Sequence, residues 1–169
     1  WIARLMSGFK DPAVAAVCGS YGLANPQSLL ARCVQAEIVF RHARMPDHPR
    51  VFGSYNVAIR RRVLRDLGGF DRGYRQASGE DNDLSYRILS SGRKIYFARA
   101  ALVDHVHPSR VGRYLYEQFR HGFWRARMYR DHPRMARGDD YTFWKDSLEV
   151  LIIGLLPVAM VSLFLGQAL

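Results

Sequence analysis

Cysteine is scarce in this sequence of 169 residues, which contains only Cys18 and Cys33. The two residues fall in different candidate elements, and neither belongs to a CxxC pair or to a Cys/His cluster. Their spacing therefore predicts neither a disulfide framework nor a zinc site, and it fits a reducing compartment. Repeats and low-complexity tracts are also missing, while 49% of the residues are hydrophobic, which is ordinary for a globular protein.

Acidic residues are the minority among the charged ones: 15 Asp and Glu stand against 25 Lys and Arg, for a formal charge of +10. A charge of this size makes the protein surface strongly basic, which suits nucleic acid, anionic lipid headgroups or a phosphate-bearing substrate. No known nucleic-acid-binding motif occurs, and the arginines after residue 110 alternate with apolar residues in a membrane-facing pattern. Nucleic acid is therefore the least favoured of the three partners.

The sequence begins without an initiator Met and without a signal peptide. Its first residues, Trp1 to Met6 (WIARLM), are typical of the middle of a helix. We therefore expect the chain to be a fragment of a longer protein.

The end of the chain, residues 148–169 (LEVLIIGLLPVAMVSLFLGQAL), is almost entirely apolar. At about 1.5 Å per residue, a helix of this length covers the roughly 30 Å hydrocarbon core of a bilayer, and we predict a transmembrane helix. A buried helix of a soluble domain is the alternative. Many arginines precede the stretch, and positive flanks stay on the cytoplasmic side, so the rest of the chain is expected to be cytoplasmic and held at the inner membrane.

The remaining sequence predicts short strands mixed with helices, which is an α/β fold. Apolar patterning and turn residues predict helices over residues 27–41, 60–67, 81–91 and 114–129, and strands over residues 13–17 and 94–98. Residues 101–106 are predicted to be extended or a further strand. The helix over residues 114–129 is basic, aromatic and amphipathic, and it could lie against a membrane surface.

A cluster of carboxylates, Glu80, Asp81 and Asp83, stands at the predicted start of a helix. Acidic residues there complement the exposed amides and the helix dipole, so capping is the plain interpretation. Three carboxylates exceed what capping needs, and close like charges raise the pKa of at least one of them, as a general base requires. Asp81-x-Asp83 also matches the DxD pattern of metal-diphosphate sites.

Two further motifs offer polar side chains. In Gly53-Ser54-Tyr55-Asn56 the glycine permits close approach of a ligand, and Asn56 either binds a hydroxylated substrate or ties down a turn. In the extended segment that contains His105 and His107 we expect the two rings to point to opposite sides, so that one of them faces a given site.

In their order and spacing, GSYNVAIRR, LGGFD, GEDNDLSYRILSSGRKIYFA and VDHVHPS resemble the C-terminal half of the GT-A domain of family 2 glycosyltransferases, which invert configuration. The resemblance runs from about residue 11 to residue 133 and implies a mixed sheet flanked by helices. It also implies that a nucleotide-binding half with its own DxD motif lies outside this sequence, so the chain alone is expected to be inactive.

The resemblance assigns roles to individual residues. It implies that Asp81 is the base that deprotonates the acceptor hydroxyl, with Glu80 contacting the acceptor. It places Gly53, Ser54 and Asn56 on the acceptor side of the cleft. His105 is the better match to a histidine that completes the metal-diphosphate site, with His107 in reserve, and the cation is Mg²⁺ or Mn²⁺. Asp81-x-Asp83 occupies the position of the base motif and is not the metal motif.

The sequence thus predicts three segments: part of the catalytic domain over residues 1–110, a basic interfacial segment over 111–147 and a membrane span over 148–169. The resemblance implies transfer of a sugar from a nucleotide-diphospho-sugar to a lipid-linked or saccharide acceptor, with inversion, in cell-envelope polysaccharide or glycolipid assembly. The alternative is a non-catalytic, membrane-anchored binding module with a basic cytoplasmic surface.

Overall fold

A computed structural model describes residues 1–75, 78–135 and 140. Helices and strands follow one another in the order α1 (Ile2–Met6), β1 (Val14–Leu23), α2 (Leu29–Arg44), β2 (Val57–Ile59), α3 (Arg61–Asp66), α4 (Glu80–Ser90), β3 (Lys94–His105) and α5 (Val111–Asp131). Short 3-10 turns lie at Ser7–Lys10, Ser54–Asn56 and Pro133–Met135. The mixture confirms the predicted α/β class.

The strands of the described residues form one mixed sheet in the order β2-β1-β3. The central strand β1 runs antiparallel to β2 and parallel to β3. Because a central strand is covered on both faces, its first half must be apolar, and residues 14–18 (VAAVC) are all buried. The sheet therefore provides the rigid centre on which the neighbouring turns are placed.

The strands are longer than the sequence predicted. β1 does not end near Val17 but continues to Leu23, because its second half pairs with the end of β3. The pairing shifts between Gly19 and Ser20, whose partners are Ala98 and Leu102, so residues 99–101 bulge out of β3. The predicted strand over residues 94–98 and the extended segment over 101–106 are thus one irregular strand.

β2 was not predicted at all. Its three residues lie inside the motif GSYNVAIRR, which the sequence analysis treated as a turn. Three residues are too few to show the alternation of apolar and polar residues that predicts a strand. β2 is formed by pairing with β1, where Ile59 lies opposite Ala16. The pairing fixes the turn just before it, at Ser54–Asn56, against the sheet.

Two helices, α3 and α4, lie between β2 and β3 in the chain. α3 ends at Asp66, and Gly68 and Gly69, both with φ of 75°, turn the chain away after it. α4 packs Leu84 and Ile88 against the sheet residue Phe97 in the main core cluster. Removing one of these fully buried side chains leaves a cavity and costs about 2 to 5 kcal/mol.

α5 packs against the remainder of the fold rather than standing apart from it. Its Met128 is buried with Val51 and Tyr86, which extends the core beyond the sheet. Within residues 1–75, 78–135 and 140, no helix is both long enough and apolar enough to cross a membrane. The predicted span over residues 148–169 lies outside the described residues.

Candidate active site

The paired carboxylates Glu80 and Asp81 lie in the first turn of α4. Gly79 precedes them with φ of 89°, a left-handed conformation that glycine adopts without strain. This turn brings the chain out of the preceding loop and directs the start of α4 toward the turn at Ser54–Asn56. Both side chains are half-buried, so they are partly removed from water but still reachable.

Asp81 contacts that turn directly. Its Oδ2 accepts a hydrogen bond from the backbone N–H of Ser54 at 3.1 Å, and its Oδ1 accepts one from the N–H of Asn82 at 2.9 Å. Burial, and then the charge of Glu80, raise the pKa of Asp81 to about 6, although the two amide hydrogen bonds act in the opposite direction. A carboxylate with this pKa accepts a proton near neutral pH.

Glu80 has unused acceptor capacity. Its Oε2 is buried and has no hydrogen-bond partner among the described residues. Buried polar atoms are usually paired, because an unpaired one costs about 1 to 3 kcal/mol. A hydroxyl group of a bound ligand would satisfy this oxygen.

Asp83, in contrast, is buried, and both of its oxygens have partners among the described residues. One of its oxygens accepts hydrogen bonds from the guanidinium of Arg87, and the other lies 2.7 Å from Nε2 of His132. Arg87 also donates to the carbonyl oxygens of Leu67 and Gly69. Asp83 therefore joins α4 to α3 and to the residue after α5, and its carboxylate is committed to that network.

The predicted substrate-binding residues lie in the turn at Ser54–Asn56 and at Gly53 just before it. Ser54 is exposed, and its backbone N–H donates to Asp81. Gly53 is half-buried, and a Cβ there would collide with the ring of Tyr55, so this ring needs glycine beneath it. The motif therefore forms one wall of the space at the start of α4.

Asn56 is almost completely buried and ties the turn to the sheet. Its Nδ2 donates to the carbonyl oxygens of Ser20 and Ala101, each at 2.8 Å, where the two strands change register. A Cβ on Gly19 would collide with this amide, so glycine in β1 gives it room. The sequence left open whether Asn56 binds a substrate or ties down a turn, and in the structure it ties down the turn. Its Oδ1 is the side-chain atom that has no partner among the described residues.

The expectation that His105 and His107 face opposite sides is wrong. Their ring centroids are 5.0 Å apart, because residues two apart on an extended chain lie on the same side. His107 is buried: its Nε2 lies 2.8 Å from Oε1 of Gln35, and Asn25 holds its backbone with two hydrogen bonds. His105 is exposed.

The ring of Tyr21 lies at the centre of an aromatic cluster that the sequence analysis missed. The cluster links the turn to the histidines: the ring centroid of Tyr21 is 3.9 Å from Tyr55, 5.3 Å from His105 and 5.6 Å from both His42 and His107. Tyr55 was present in the quoted motif, but Tyr21 lay beyond the predicted end of its strand. His42 had no sequence signal beyond its place in a helix.

Burial keeps two of the cluster's histidines neutral. Burial lowers the pKa of His42 to about 4, and its Nδ1 lies 2.6 Å from the hydroxyl of Ser20. Burial, followed by the nearby ring of His105, also lowers the pKa of His107. Neutral imidazoles pack among aromatic rings without a desolvated charge.

The described residues do not form a metal site by themselves. Nowhere in residues 1–75, 78–135 and 140 do three or more His, Cys, Asp or Glu side chains come together in a way that could hold an ion. Of the two histidines considered as ligands, His107 is bound to Gln35, which leaves the exposed His105. The fit to a divalent cation is thus incomplete here.

The sequence matches known proteins over most of the described region. The model of the family described as "Glycosyltransferase like family 2" matches residues 1–123, which include the carboxylates, the turn and both histidines. The chain is 30% identical over 118 residues to the "Pre-mycofactocin glycosyltransferase" of Mycobacterium tuberculosis strains CDC 1551 / Oshkosh and ATCC 25618 / H37Rv.

That match covers 66% of this chain and 25% of each relative, so the chain spans about a quarter of the length of these curated relatives. The mixed three-stranded sheet is consistent with part of a GT-A domain. With a family match over well more than half of its length, the chain belongs to the family 2-like glycosyltransferases.

Proposed function

We propose that the whole protein transfers a sugar from a nucleotide-diphospho-sugar to an acceptor hydroxyl with inversion, and that Asp81 is the general base. The acceptor oxygen forms a bond to the anomeric carbon while the bond from that carbon to the diphosphate breaks on the opposite face. The hydroxyl proton passes to Asp81. The observation that carries this proposal is the half-buried carboxylate of Asp81, whose pKa is raised to about 6 and which no cationic side chain pairs with among the described residues.

The neighbours of Asp81 have supporting roles in the proposal. Glu80 raises the pKa of Asp81 and offers its unpaired Oε2 to an acceptor hydroxyl. The amide of Ser54 fixes the Asp81 carboxylate, and Gly53 leaves space for the ring of Tyr55 in the turn. Asn56 holds the turn against the sheet. A base acts only when the proton lies within hydrogen-bond reach, so these positioning contacts matter for the rate.

A divalent cation, Mg²⁺ or Mn²⁺, would neutralise the diphosphate as it leaves. Because the described residues supply no complete ligand set, we assign this chain one ligand at most, the imidazole of His105, with His107 excluded by its bond to Gln35. The steps described above therefore depend on the carboxylates and on the turn alone.

We also propose that residues 148–169 anchor the protein in the cell inner membrane with the catalytic part on the cytoplasmic side. The apolar sequence of that stretch and the arginines before it support the proposal. The acceptor would then be a lipid-linked or saccharide intermediate of envelope polysaccharide or glycolipid assembly. Washing membranes at alkaline pH tests the anchor, because release of the protein into the supernatant would contradict a membrane span.

The stereochemical outcome tests the proposed reaction. The whole protein is supplied with a nucleotide-diphospho-sugar of known anomeric configuration, and the product linkage is determined by the proton coupling at its anomeric carbon. We expect the opposite configuration, because a single displacement occurs on the face away from the leaving group. A product that retains the donor configuration would overturn the assignment of Asp81 as a base in a single displacement.

A further inference from the structure

One face of α5 exposes a row of large apolar side chains. Leu115, Phe119 and Phe123, each four residues after the last, are 59%, 73% and 63% exposed. Side chains at this spacing form a continuous stripe along one side of a helix. Val111 and Tyr116 are exposed beside the row and widen it. We call these five residues the outer face of α5.

Arginines border the outer face. Arg113, which pairs with Glu117, and the half-buried Arg120 lie seven residues apart along one flank of the row, and the exposed Arg110 stands at its beginning. Single exposed apolar residues are ordinary on protein surfaces, but a contiguous apolar stripe indicates an interaction site. An apolar stripe edged with arginine is the pattern of a helix that lies in the headgroup region of an anionic membrane.

The opposite face of α5 packs on the loop that leads into the catalytic carboxylates. Nδ1 of His121 lies 2.7 Å from the hydroxyl of Ser78, two residues before Glu80. The ring of Trp124 packs against Tyr74 with centroids 5.7 Å apart, close to Gly79. The site therefore lies one helix thickness away from the outer face, which is about 10 to 12 Å with side chains.

We propose that the outer face of α5 docks on the surface of an anionic bilayer and holds Asp81 about one helix diameter, roughly 10 Å, above it. The acceptor hydroxyl then belongs to a lipid-linked molecule whose head group reaches the site from the membrane. This part of the inference rests on the proposed glycosyl transfer. The bilayer is favoured over a protein partner because arginines border the stripe and because the apolar stretch over residues 148–169 follows soon after α5.

A fluorescent label on the outer face tests the docking directly. In the full chain with Cys33→Ser, which leaves only the buried Cys18, position 119 is labelled through Phe119→Cys with an environment-sensitive dye. Val39→Cys on α2 is the matched control, since Val39 is also an exposed apolar residue of a helix at 56%. Both proteins are placed in vesicles of phosphatidylcholine with phosphatidylglycerol and in vesicles of phosphatidylcholine alone.

We expect a blue-shifted emission at position 119 that nitroxide-bearing lipids quench, stronger with phosphatidylglycerol, and neither effect at position 39. An unshifted emission at position 119 would overturn the proposal. A blue-shifted emission that lipid nitroxides do not quench would overturn it too, because residues 148–169 or a second copy of the chain would then cover the face.

The consequence for the acceptor is tested in the whole protein with Phe119→Asn combined with Phe123→Asn. We expect transfer to a lipid-linked acceptor in vesicles to fall at least about tenfold, since two large apolar groups leave the membrane, while transfer to a short water-soluble analogue stays unchanged. Val39→Asn should change neither rate. An equal loss on both acceptors would overturn the proposal, because the loop before Glu80 would then be damaged.

If the unaltered protein transfers sugar to neither acceptor, the proposed function fails, while the fluorescence result still decides the docking.

Discussion

Two carboxylates in the same helix turn, Asp81 and Asp83, have opposite surroundings. Asp83 is buried, pairs with the guanidinium of Arg87 and lies 2.7 Å from Nε2 of His132. Asp81 receives two backbone hydrogen bonds and has a like charge, Glu80, beside it, so its pKa rises to about 6. Cations stabilise an ionised carboxylate, whereas burial beside a like charge makes it basic. The difference separates a residue that holds the fold from one that can accept a proton.

His105, the last residue of β3, and His107, two residues later, also differ in their surroundings. His107 is buried and bound to Gln35 and Asn25, whereas His105 is exposed at the rim of the aromatic cluster. In both pairs the residues are two positions apart and chemically alike. The partners supplied by distant parts of the chain decide which member is structural.

The largest expected effect comes from Asp81→Asn, which keeps the size of the side chain but removes the base. Loss of a general base typically slows a reaction by about 10² to 10⁴-fold, and we expect a loss in that range in the turnover of the whole protein. Donor binding, measured separately by calorimetry, should be nearly unchanged. A variant that keeps more than about a tenth of the normal turnover would show that Asp81 is not the base.

The matched substitution Asp83→Asn should have the opposite outcome. It removes the charge that Arg87 neutralises and weakens the contact with His132, and hydrogen bonds to a charged group contribute about 1.5 to 3 kcal/mol. We expect a stability loss of about 2 kcal/mol, measured by urea unfolding, with turnover reduced only a few-fold at temperatures where the variant is folded. Asp66→Asn, in exposed pairs with Arg62 and Arg93, is the control and should change stability by less than about 0.5 kcal/mol.

His105→Ala and His107→Ala extend the comparison to the second pair. If His105 is a metal ligand, its loss should raise the Mg²⁺ or Mn²⁺ concentration that gives half-maximal activity by about tenfold. His107→Ala should leave this concentration unchanged and lower the melting temperature, because Gln35 loses its partner and a cavity opens. A cation requirement that responds equally to both substitutions would remove His105 as a ligand.

The smallest expected effect is a shift in pH dependence. A base acts in its ionised form, so kcat/KM should be highest above the pKa of Asp81 and should fall as the pH drops through about 6. Glu80→Gln removes the like charge that raises this pKa, so the acidic limb should move to lower pH whatever happens to the maximal rate. Rates measured from pH 4 to 8 decide this, and a limb that stays in place or moves upward would contradict the coupling of the two carboxylates.

Sequence patterns predicted the helices well and the strands incompletely. α4 was predicted to within one residue, because its apolar positions repeat with helical spacing and Gly92 ends it. β2 and the second half of β1 could not be predicted, since strands of this kind are formed by pairing with residues far away in the chain. The missed half of β1 carries Tyr21, which explains why the aromatic cluster was missed too.

What the sequence by itself determined is local: the helical repeats, the left-handed glycines, the family motifs and the presence of acidic residues at the start of α4. These features depend on neighbours within a few residues, where backbone sterics and side-chain spacing act. Only the tertiary structure decided that His132 lies against Asp83, that Asp81 receives the amide of Ser54, and that Asn56 ties the turn to two strands. Charge compensation and hydrogen bonding depend on distances of a few ångströms between residues far apart in the chain, and folding alone sets those distances.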